Sequence, residues 1–172
     1  MLNKNGNIIA AAVTNLDLHD IARAAKTYGV RLFYVVTPLA DQQELVERIV
    51  AHWVQGIGST YNPKRREALE LICIKNSLDE VIDHIRDNGG GSPKTVVTSA
   101  KHNSGNLSFG KFRAMLNDGN RYLLIFGTAW GLTEEFMAGA DYILDPVMGN
   151  TDYNHLSVRS ATAVILDRLF GT

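Results

Sequence analysis

The sequence predicts an α/β fold, with an open parallel sheet of about six strands and helices on both faces. Short apolar segments alternate with amphipathic segments along the whole chain. Most of the short segments are continuous apolar runs, which is typical of parallel strands covered on both faces. The chain has 172 residues, with no repeat and no low-complexity tract. We therefore expect a single domain over residues 1–172, which is long enough to build a sizeable core.

The predicted strands are rich in β-branched and aromatic residues. They cover residues 7–13, 31–37, 71–74, 95–98, 122–126 and 142–144. Residues 55–62 are predicted to form a loop because Gly56, Gly58 and Asn62 interrupt the helical spacing there.

Helices are predicted where apolar residues recur at helical spacing between capping residues. They cover residues 18–28, 41–53, 64–69, 77–87, 108–116, 132–137 and 156–170. Asp41 and Ser108 are expected to cap two of these helices at the N-terminus. Ser77 and Glu80 have the spacing of a capping box, and Gly29 follows the first helix as a C-cap.

The composition points to no particular partner. The net charge is -1, from 17 basic and 18 acidic residues, so no overall positive field indicates nucleic acid. A local basic patch could still bind phosphate. Cys73 is the single cysteine and lies in an apolar run, which indicates a buried strand residue in a reducing compartment. With neither a leader pattern nor an apolar run of bilayer length, a soluble cytoplasmic protein is expected.

One segment is similar to the phosphate-binding P-loop, since Gly105 is followed by Gly110-Lys111 after a predicted strand. Phe112 stands where that motif needs a hydroxyl for Mg²⁺. A nucleotidase therefore remains a further alternative, beside the simpler interpretation that Ser108 caps a helix and Gly110 lies in its first turn. The five histidines, which show no metal-ligand spacing, are His19, His52, His84, His102 and His155. No metal site is predicted.

Two glycine-bearing loops follow the last two predicted strands. Gly127 and Gly131 lie in the first loop, and Gly149 lies in the second. Glycines let a backbone approach a ligand closely, and parallel sheets bind ligands beyond the carboxyl ends of their strands. The pattern indicates a small-molecule site at this edge, although turn geometry without a ligand explains the same glycines equally well.

The residues around these loops resemble a known family. The strings are Ile125-Phe-Gly-Thr-Ala-Trp-Gly-Leu-Thr-Glu-Glu, Ile143-Leu-Asp-Pro-Val-Met-Gly and Tyr153-Asn-His-Leu-Ser-Val-Arg-Ser-Ala. They are similar to the C-terminal motifs of SPOUT-class RNA methyltransferases, in particular a bacterial branch related to domains fused to tRNA (guanine-N1) methyltransferase. The resemblance is specific in the last third of the chain. It implies a C-terminal trefoil knot, with knot and cofactor site within about residues 94–172.

The resemblance also implies that three loops around the knot bind S-adenosylmethionine. The implied cofactor residues are Thr98, Ser99, Ala100, Phe126, Gly127, Thr128, Gly131, Leu144, Pro146, Met148, Gly149, Asn154, His155 and Leu156. Main-chain groups would hold the adenine, with Leu144, Met148 and Leu156 as walls. Trp130 is expected to pack in the core or an interface.

The catalytic residues implied by the resemblance are Asp17 and Arg23. Arg23 and Gly29-Val30 are similar to the first motif of the ribose 2′-O-methyltransferases of this class, but Asp17 stands where that motif has asparagine. In the family the arginine engages RNA phosphate or assists loss of a proton. An exposed helix position explains Arg23 equally well.

The implied partners are RNA (tRNA or rRNA) and a second copy packed against the C-terminal helix. The candidate basic contacts to RNA are Lys64, Arg65, Arg66, Lys101, Lys111 and Arg113. Methyl transfer to RNA is the expected function. The alternative is an S-adenosylmethionine-binding module without activity of its own.

Overall fold

The computed structural model describes residue 5, residue 10, residues 12–102 and residues 105–172. The chain divides into two compact units, one containing residues 10–81 and the other residues 82–172. The single domain stays a prediction, and the segment expected to hold the knot lies within the second unit. The strand predicted at 7–13 lies mostly outside the described residues, and residues 12 and 13 are in neither a strand nor a helix.

The first unit is built from helices around a small parallel sheet. Its elements are α1 (Asn15–Thr27), β1 (Phe33–Val36), α2 (Ala40–Val54), α3 (Gly58–Tyr61), α4 (Pro63–Leu69) and β2 (Ile72–Lys75). β1 and β2 are parallel, with Phe33 opposite Ile72. α5 (Leu78–Ile85) contains the division between the units.

Apolar side chains from α1, α2 and α4 close the core of this unit. Leu18, Val35 and Val46 form one buried cluster, and Ala22 packs with Leu69 in another. The segment 55–62 is a loop only in part, because α3 forms one helical turn within it. Asp41 is not the N-cap of α2, which begins one residue earlier without a side-chain cap.

The second unit is organised around three parallel strands. After a π-helical turn at Arg86–Gly90, its elements are β3 (Lys94–Thr98), α6 (Phe109–Met115), β4 (Tyr122–Ile125), α7 (Glu134–Ala138), β5 (Tyr142–Leu144) and α8 (Val158–Phe170). The strand order is β4-β3-β5. One face of this sheet packs on α6 and α8 through a buried cluster formed by Val96, Leu107, Phe112, Leu144, Ile165 and Leu169.

Neighbouring strand residues point to opposite faces. Val97 and Ile143 therefore face away from this cluster, and Ile143 lines a cavity with Met137 of α7. The expected α/β fold with parallel strands is confirmed. In place of one sheet of about six strands, five strands form two small sheets in the described part of the chain. The sixth strand was expected at 7–13, outside most of what is described.

Candidate functional site

The carboxyl ends of β3, β4 and β5 lie side by side. Val97 is opposite Ile125, and Thr98 is opposite Leu144. Thr98 Oγ1 donates a hydrogen bond to the main-chain oxygen of Ile125 at 3.2 Å, which ties the ends of β3 and β4 together. The three loops that follow these strands therefore leave the sheet at one edge, where ligands bind in open parallel sheets.

The loop after β4 is a tight turn with unusual backbone angles. The amide of Gly131 donates to the oxygen of Thr128 at 2.9 Å. Gly131 has φ +90°, and Ala129 has φ +52°, the one positive φ of a non-glycine residue among the described positions. A Cβ on Gly127 would lie 2.9 Å from the amide nitrogen of Leu132. A left-handed backbone costs energy at a residue other than glycine, as at Ala129, and such conformations concentrate at functional sites.

The loop after β5 is attached to the loop after β3 by one side chain. Asn154 Nδ2 donates to the main-chain oxygen of Ala100 at 2.6 Å and lies 3.4 Å from Met148 Sδ. The amide of Leu156 then donates to the oxygen of Asn154 at 3.2 Å. Ser157 Oγ caps α8 by accepting from the amide of Ser160 at 3.2 Å.

The three side chains predicted as adenine walls differ in their exposure to solvent. Met148 is 47% exposed and Leu156 is 44% exposed, so both side chains are accessible. Leu144 is fully buried in the cluster with α6 and α8, so it exposes neither side chain nor main chain, and its part as a wall stays a prediction. Pro146 is also buried. Trp130 is 69% exposed and does not pack in the core of its own chain.

Other predicted residues lie on the same loops. Ser99 Oγ accepts from the amide of Lys101 at 3.0 Å. The exposed ring of His155 meets Tyr153 edge-to-face, with centroids 5.6 Å apart. Phe126 is half-buried and packs against the core, and Gly149 is exposed with open space where a Cβ would lie.

A cavity of about 380 Å³ adjoins these loops on the face of the sheet that carries α7. Its lining residues are Ser99, Lys101, Glu134, Met137, Ala138 and Ile143. Lys101 Nζ pairs with Glu134 Oε1 at 3.3 Å. Of the predicted cofactor residues, Ser99 alone lines this cavity. The sequence did not indicate that the other lining residues share a cavity. The ion pair between Lys101 and Glu134 joins two residues that are distant in the chain and meet only when it is folded.

β5 has neighbours on both sides. One edge pairs with β3, and on the other the amide of Leu107 donates to the oxygen of Ile143 at 2.7 Å. The amide of Asp145 then donates to the oxygen of Leu107 at 2.9 Å. β5 thus lies between β3 and a residue of the segment that leaves β3.

The P-loop-like segment forms an ordinary helix start. Ser108 Oγ caps α6 by accepting from the amide of Lys111 at 3.3 Å. Phe112, at the position that would need a magnesium-binding hydroxyl, is 1% exposed and meets Tyr122 edge-to-face in the core. The geometry gives the nucleotidase alternative no support.

Asp17 and Arg23 lie on α1, in the first unit. Asp17 Oδ2 accepts from the amide and the hydroxyl of Thr14, at 3.3 Å and 2.5 Å, while Thr14 Oγ1 accepts from the amide of Asp17. This reciprocal pair is a capping box, so Asp17 has a structural role at the start of the helix. Arg23 is exposed.

The described helices include none that is long and apolar enough to cross a membrane. Among the same residues, no three side chains of the metal-binding types are grouped closely enough to hold an ion.

A family model for SAM-dependent RNA methyltransferases matches residues 1–171. The chain belongs to this family. The resemblance to SPOUT-class enzymes is confirmed, and S-adenosylmethionine is the cofactor of the family.

Relatives at high identity extend over nearly the whole chain. A tRNA (guanine-N(1)-)-methyltransferase of Nitratidesulfovibrio vulgaris is 46% identical over 168 residues, which is 98% of this chain and 39% of that protein. An uncharacterized protein of Aquifex aeolicus is 39% identical, over 98% of this chain and 83% of that protein. The chain spans about two fifths of the length of the tRNA methyltransferase relatives it matches.

Solved structures share the fold at low identity. The SpoU methyltransferase AviRb of Streptomyces viridochromogenes, in complex with AdoMet, superposes with a TM-score of 0.59 at 18% identity, over 95% of this chain and 58% of that chain. The TrmH/SpoU tRNA modifying enzyme of Aquifex aeolicus gives 0.53 at 16% identity, over 92% of this chain and 69% of that chain. At these identities the likeness concerns the fold.

Proposed function

We propose that this chain binds S-adenosylmethionine at the shared edge of β3, β4 and β5 and transfers its methyl group to RNA. The observation that carries the proposal is the convergence of three loops there, with Asn154 bonded to Ala100. The loop between Gly127 and Gly131 joins them because Thr98 ties the end of β4 to β3. The family motifs lie on the loops after β4 and β5.

The residues at this edge fit the cofactor. Met148 and Leu156 offer accessible apolar surface for a purine ring, next to an amide side chain held at Ala100. The left-handed backbone at Ala129 and Gly131 reverses the chain within a few residues. Main-chain amides and carbonyls of this turn are therefore close together, as the recognition of a base edge by such groups requires. We assign adenine contact to these segments, with Ser99, Thr98 and Gly149 at the margins of the site.

When bound, the cofactor supplies an electrophilic methyl group on sulfur. The task of the chain is then to hold the accepting atom of RNA in line and to keep the site closed to water. Arg23, exposed on α1, is our candidate for contact with an RNA phosphate. Asp17 already accepts two hydrogen bonds from Thr14 at the start of α1, so we assign it the smaller role.

The chain is also proposed to form the trefoil knot of the class. The position of β5 between β3 and Leu107 supports this, because the segment that leaves β3 crosses to the other edge of β5. Leu169 of α8 belongs to the same buried cluster as Leu107 and Phe112, so the helix after β5 packs against the segment that follows β3.

A second copy of the chain is the proposed partner for α8. The exposed side chains of Phe170 and Leu156, at either end of this segment, support the pairing. The relatives named as tRNA methyltransferases make tRNA the first RNA to try, with rRNA as the second.

An S-adenosylmethionine-binding module without activity of its own is the second candidate. The observation in its favour is that the chain spans about two fifths of its tRNA methyltransferase relatives. The remainder of such relatives could carry out the transfer while this part binds the cofactor.

Calorimetry with S-adenosylmethionine tests the cofactor site. We expect wild type to bind, and Leu156→Asp, which places a charge on an accessible wall, to bind at least tenfold more weakly. The matched control is Leu45→Asp on α2, an exposed leucine of similar accessibility, which leaves binding unchanged. Absence of wild-type binding, or equal binding by both variants, would disprove the proposal. Incubation with methyl-labelled cofactor and total tRNA or rRNA then separates the two candidates, because a pure binding module transfers no label.

A further inference from the structure

A corner of the first unit presents two large apolar side chains to solvent. Ile57 is 84% exposed and Tyr61 is 85% exposed. They lie one helical turn apart around α3, where the amide of Tyr61 donates to the oxygen of Ile57 at 3.2 Å. Residues four apart on a helix share a face, so the two side chains form one apolar surface. We call Ile57 and Tyr61 the aromatic corner.

Close packing and a helix cap flank the aromatic corner. Gly58 packs so closely on Trp53 that an added Cβ would lie 2.7 Å from Trp53 Cε3. On the other side, Asn62 Oδ1 caps α4 by accepting from the amide of Arg65 at 3.0 Å, and Pro63 occupies the first position of that helix. The packing of Gly58 on Trp53 and the capping of α4 by Asn62 therefore hold Tyr61 between them, with its ring exposed.

Positive charge follows directly along the chain. Lys64, Arg65 and Arg66 occupy the first two turns of α4, and the guanidinium of Arg65 lies 4.5 Å from the centre of the Trp53 ring. Lys26 of α1, which packs on α4, lies close enough to Glu67 to contribute to the lowered pKa of that carboxyl, after the larger effect of Lys64.

Carboxylates pair with only some of the cations next to the aromatic corner. Lys64 Nζ pairs with Glu67 at 3.0 Å, and Arg66 Nε pairs with Glu70 at 2.8 Å. Within the described residues, no ion pair engages Lys26 or Arg65. The pairs on α4 are exposed and bring little stability, so their cations can exchange a carboxylate for a phosphate at small cost.

We propose that the aromatic corner binds single-stranded RNA, with an unstacked base on the ring of Tyr61 and the adjoining phosphates on Lys64 and Lys26. The proposal rests on the proposed function, since it gives that RNA a docking surface. Proteins that recognise single strands combine an aromatic face for a base with cations for the backbone. A protein partner fits the surface less well, because the apolar area is small and cations border it.

The test is fluorescence anisotropy of the full chain with a 5′-labelled single-stranded RNA of twelve uridines and a twelve-base-pair RNA duplex. We expect Tyr61→Ala to weaken single-strand binding about tenfold and to leave duplex binding unchanged, while Tyr61→Phe keeps wild-type affinity. Lys64→Gln should reduce the slope of log affinity against log salt by about 0.7. Arg48→Gln, at an exposed cation of α2, is the matched control and changes neither the single-strand affinity nor this slope.

The proposal is overturned if wild type binds neither RNA, if Tyr61→Ala binds the single strand normally, or if it loses both RNAs equally. It is also overturned if Tyr61→Ala changes the oligomeric mass in analytical ultracentrifugation, which would make the corner a contact between copies. Calorimetry with S-adenosylmethionine on the same variants keeps the two proposals apart. If wild type binds the cofactor and transfers methyl groups, but Tyr61→Ala binds single-stranded RNA normally, only the proposal for the aromatic corner is refuted. If Tyr61→Ala weakens single-strand binding but wild type does not bind the cofactor, only the proposed function is refuted.

Discussion

Asn154 donates a hydrogen bond from its side-chain amide to the main-chain oxygen of Ala100, 2.6 Å away, across 54 positions of sequence. The bond joins the segment after β5 to the loop after β3. The same amide lies 3.4 Å from Met148 Sδ, next to one proposed wall of the cofactor site. One side chain therefore sets the distance between two of the three loops.

Asn154→Ala should weaken S-adenosylmethionine binding about tenfold in calorimetry, because a hydrogen bond of about 1.4 kcal/mol no longer holds the two loops in place. Asn154→Asp should weaken it further, since a carboxylate replaces the donor and faces the oxygen of Ala100. Asn117→Ala is the matched control, at an exposed position whose amide makes only a 3.5 Å contact with Arg113. Wild-type affinity in Asn154→Ala would show that the bond does not organise the site.

Gly127→Ala should lower the free energy of unfolding by about 1–3 kcal/mol in urea denaturation. The added Cβ would lie 2.9 Å from the amide nitrogen of Leu132 and 3.0 Å from the carbonyl carbon of Gly131. Both are backbone atoms of the turn, so the clash is relieved only by opening it.

The control for Gly127 is Gly110→Ala, inside α6, where nothing lies within 4 Å of the added Cβ. That change should stabilise by about 0.5–1 kcal/mol, since alanine loses less backbone entropy in a helix. Destabilisation of the same size at both positions would contradict the packing argument.

Local features of the sequence were sufficient for most of the elements. β3, β4 and β5 were predicted from continuous apolar runs, and Ser108 was confirmed as the cap of α6. α3 was missed, because its glycine and serine favour a loop and the helical turn depends on Gly58 packing against Trp53. Such packing joins separate helices and is invisible to local propensity.

The site stays a prediction, and the sequence did not reveal which of its side chains are buried. The glycine loops indicated a ligand edge, but a continuous apolar run does not reveal which face each residue points to. The family resemblance implied Leu144 as a wall for adenine, and its side chain packs with Phe112 in the core. The contact between Asn154 and Ala100 depends on how distant strands align, which spacing along the chain does not encode.

Asp141→Asn should destabilise the second unit by about 1 kcal/mol. Asp141 Oδ2 accepts from the amide of Thr95 at 2.8 Å and from its hydroxyl at 2.9 Å, and the amide of Asp141 donates back to Thr95 Oγ1. The bond from the Thr95 amide is the main cause of the lowered pKa of the carboxyl. A lowered pKa adds stability above the unfolded value, and this stability is lost as pH falls through the folded value.

The penalty for Asp141→Asn should therefore shrink as pH falls through the lowered pKa of the folded carboxyl, because the wild-type side chain then also loses its charge. Urea denaturation at pH 7 and pH 2.5 measures it. Asp87→Asn, at an exposed carboxyl in the π-helical turn, serves as the control with little change at either pH. A constant penalty at both pH values would mean that the charge of Asp141 contributes nothing.

His19→Gln should reduce the loss of stability that wild type shows between about pH 7 and pH 5. The ring of His19 is half-buried and meets Trp53 edge-to-face at 5.4 Å. Burial lowers the pKa of His19 most, and the nearby charge of Arg65 adds to this, while Asp20 acts in the opposite direction. The folded state thus binds a proton less readily than the unfolded state.

Because the unfolded state takes up the proton first, stability falls as pH drops below about 6.5 toward the lowered value of folded His19. Thermal melting at pH 7.5, 6.5 and 5.5 measures the slope, which should be flatter in His19→Gln. His102→Gln, at a side chain that is 68% exposed, is the control for the substitution itself. If the melting temperatures of wild type and His19→Gln fall in parallel with pH, a group other than His19 takes up the proton. The contact between α1 and Trp53 then does not depend on a neutral His19 ring.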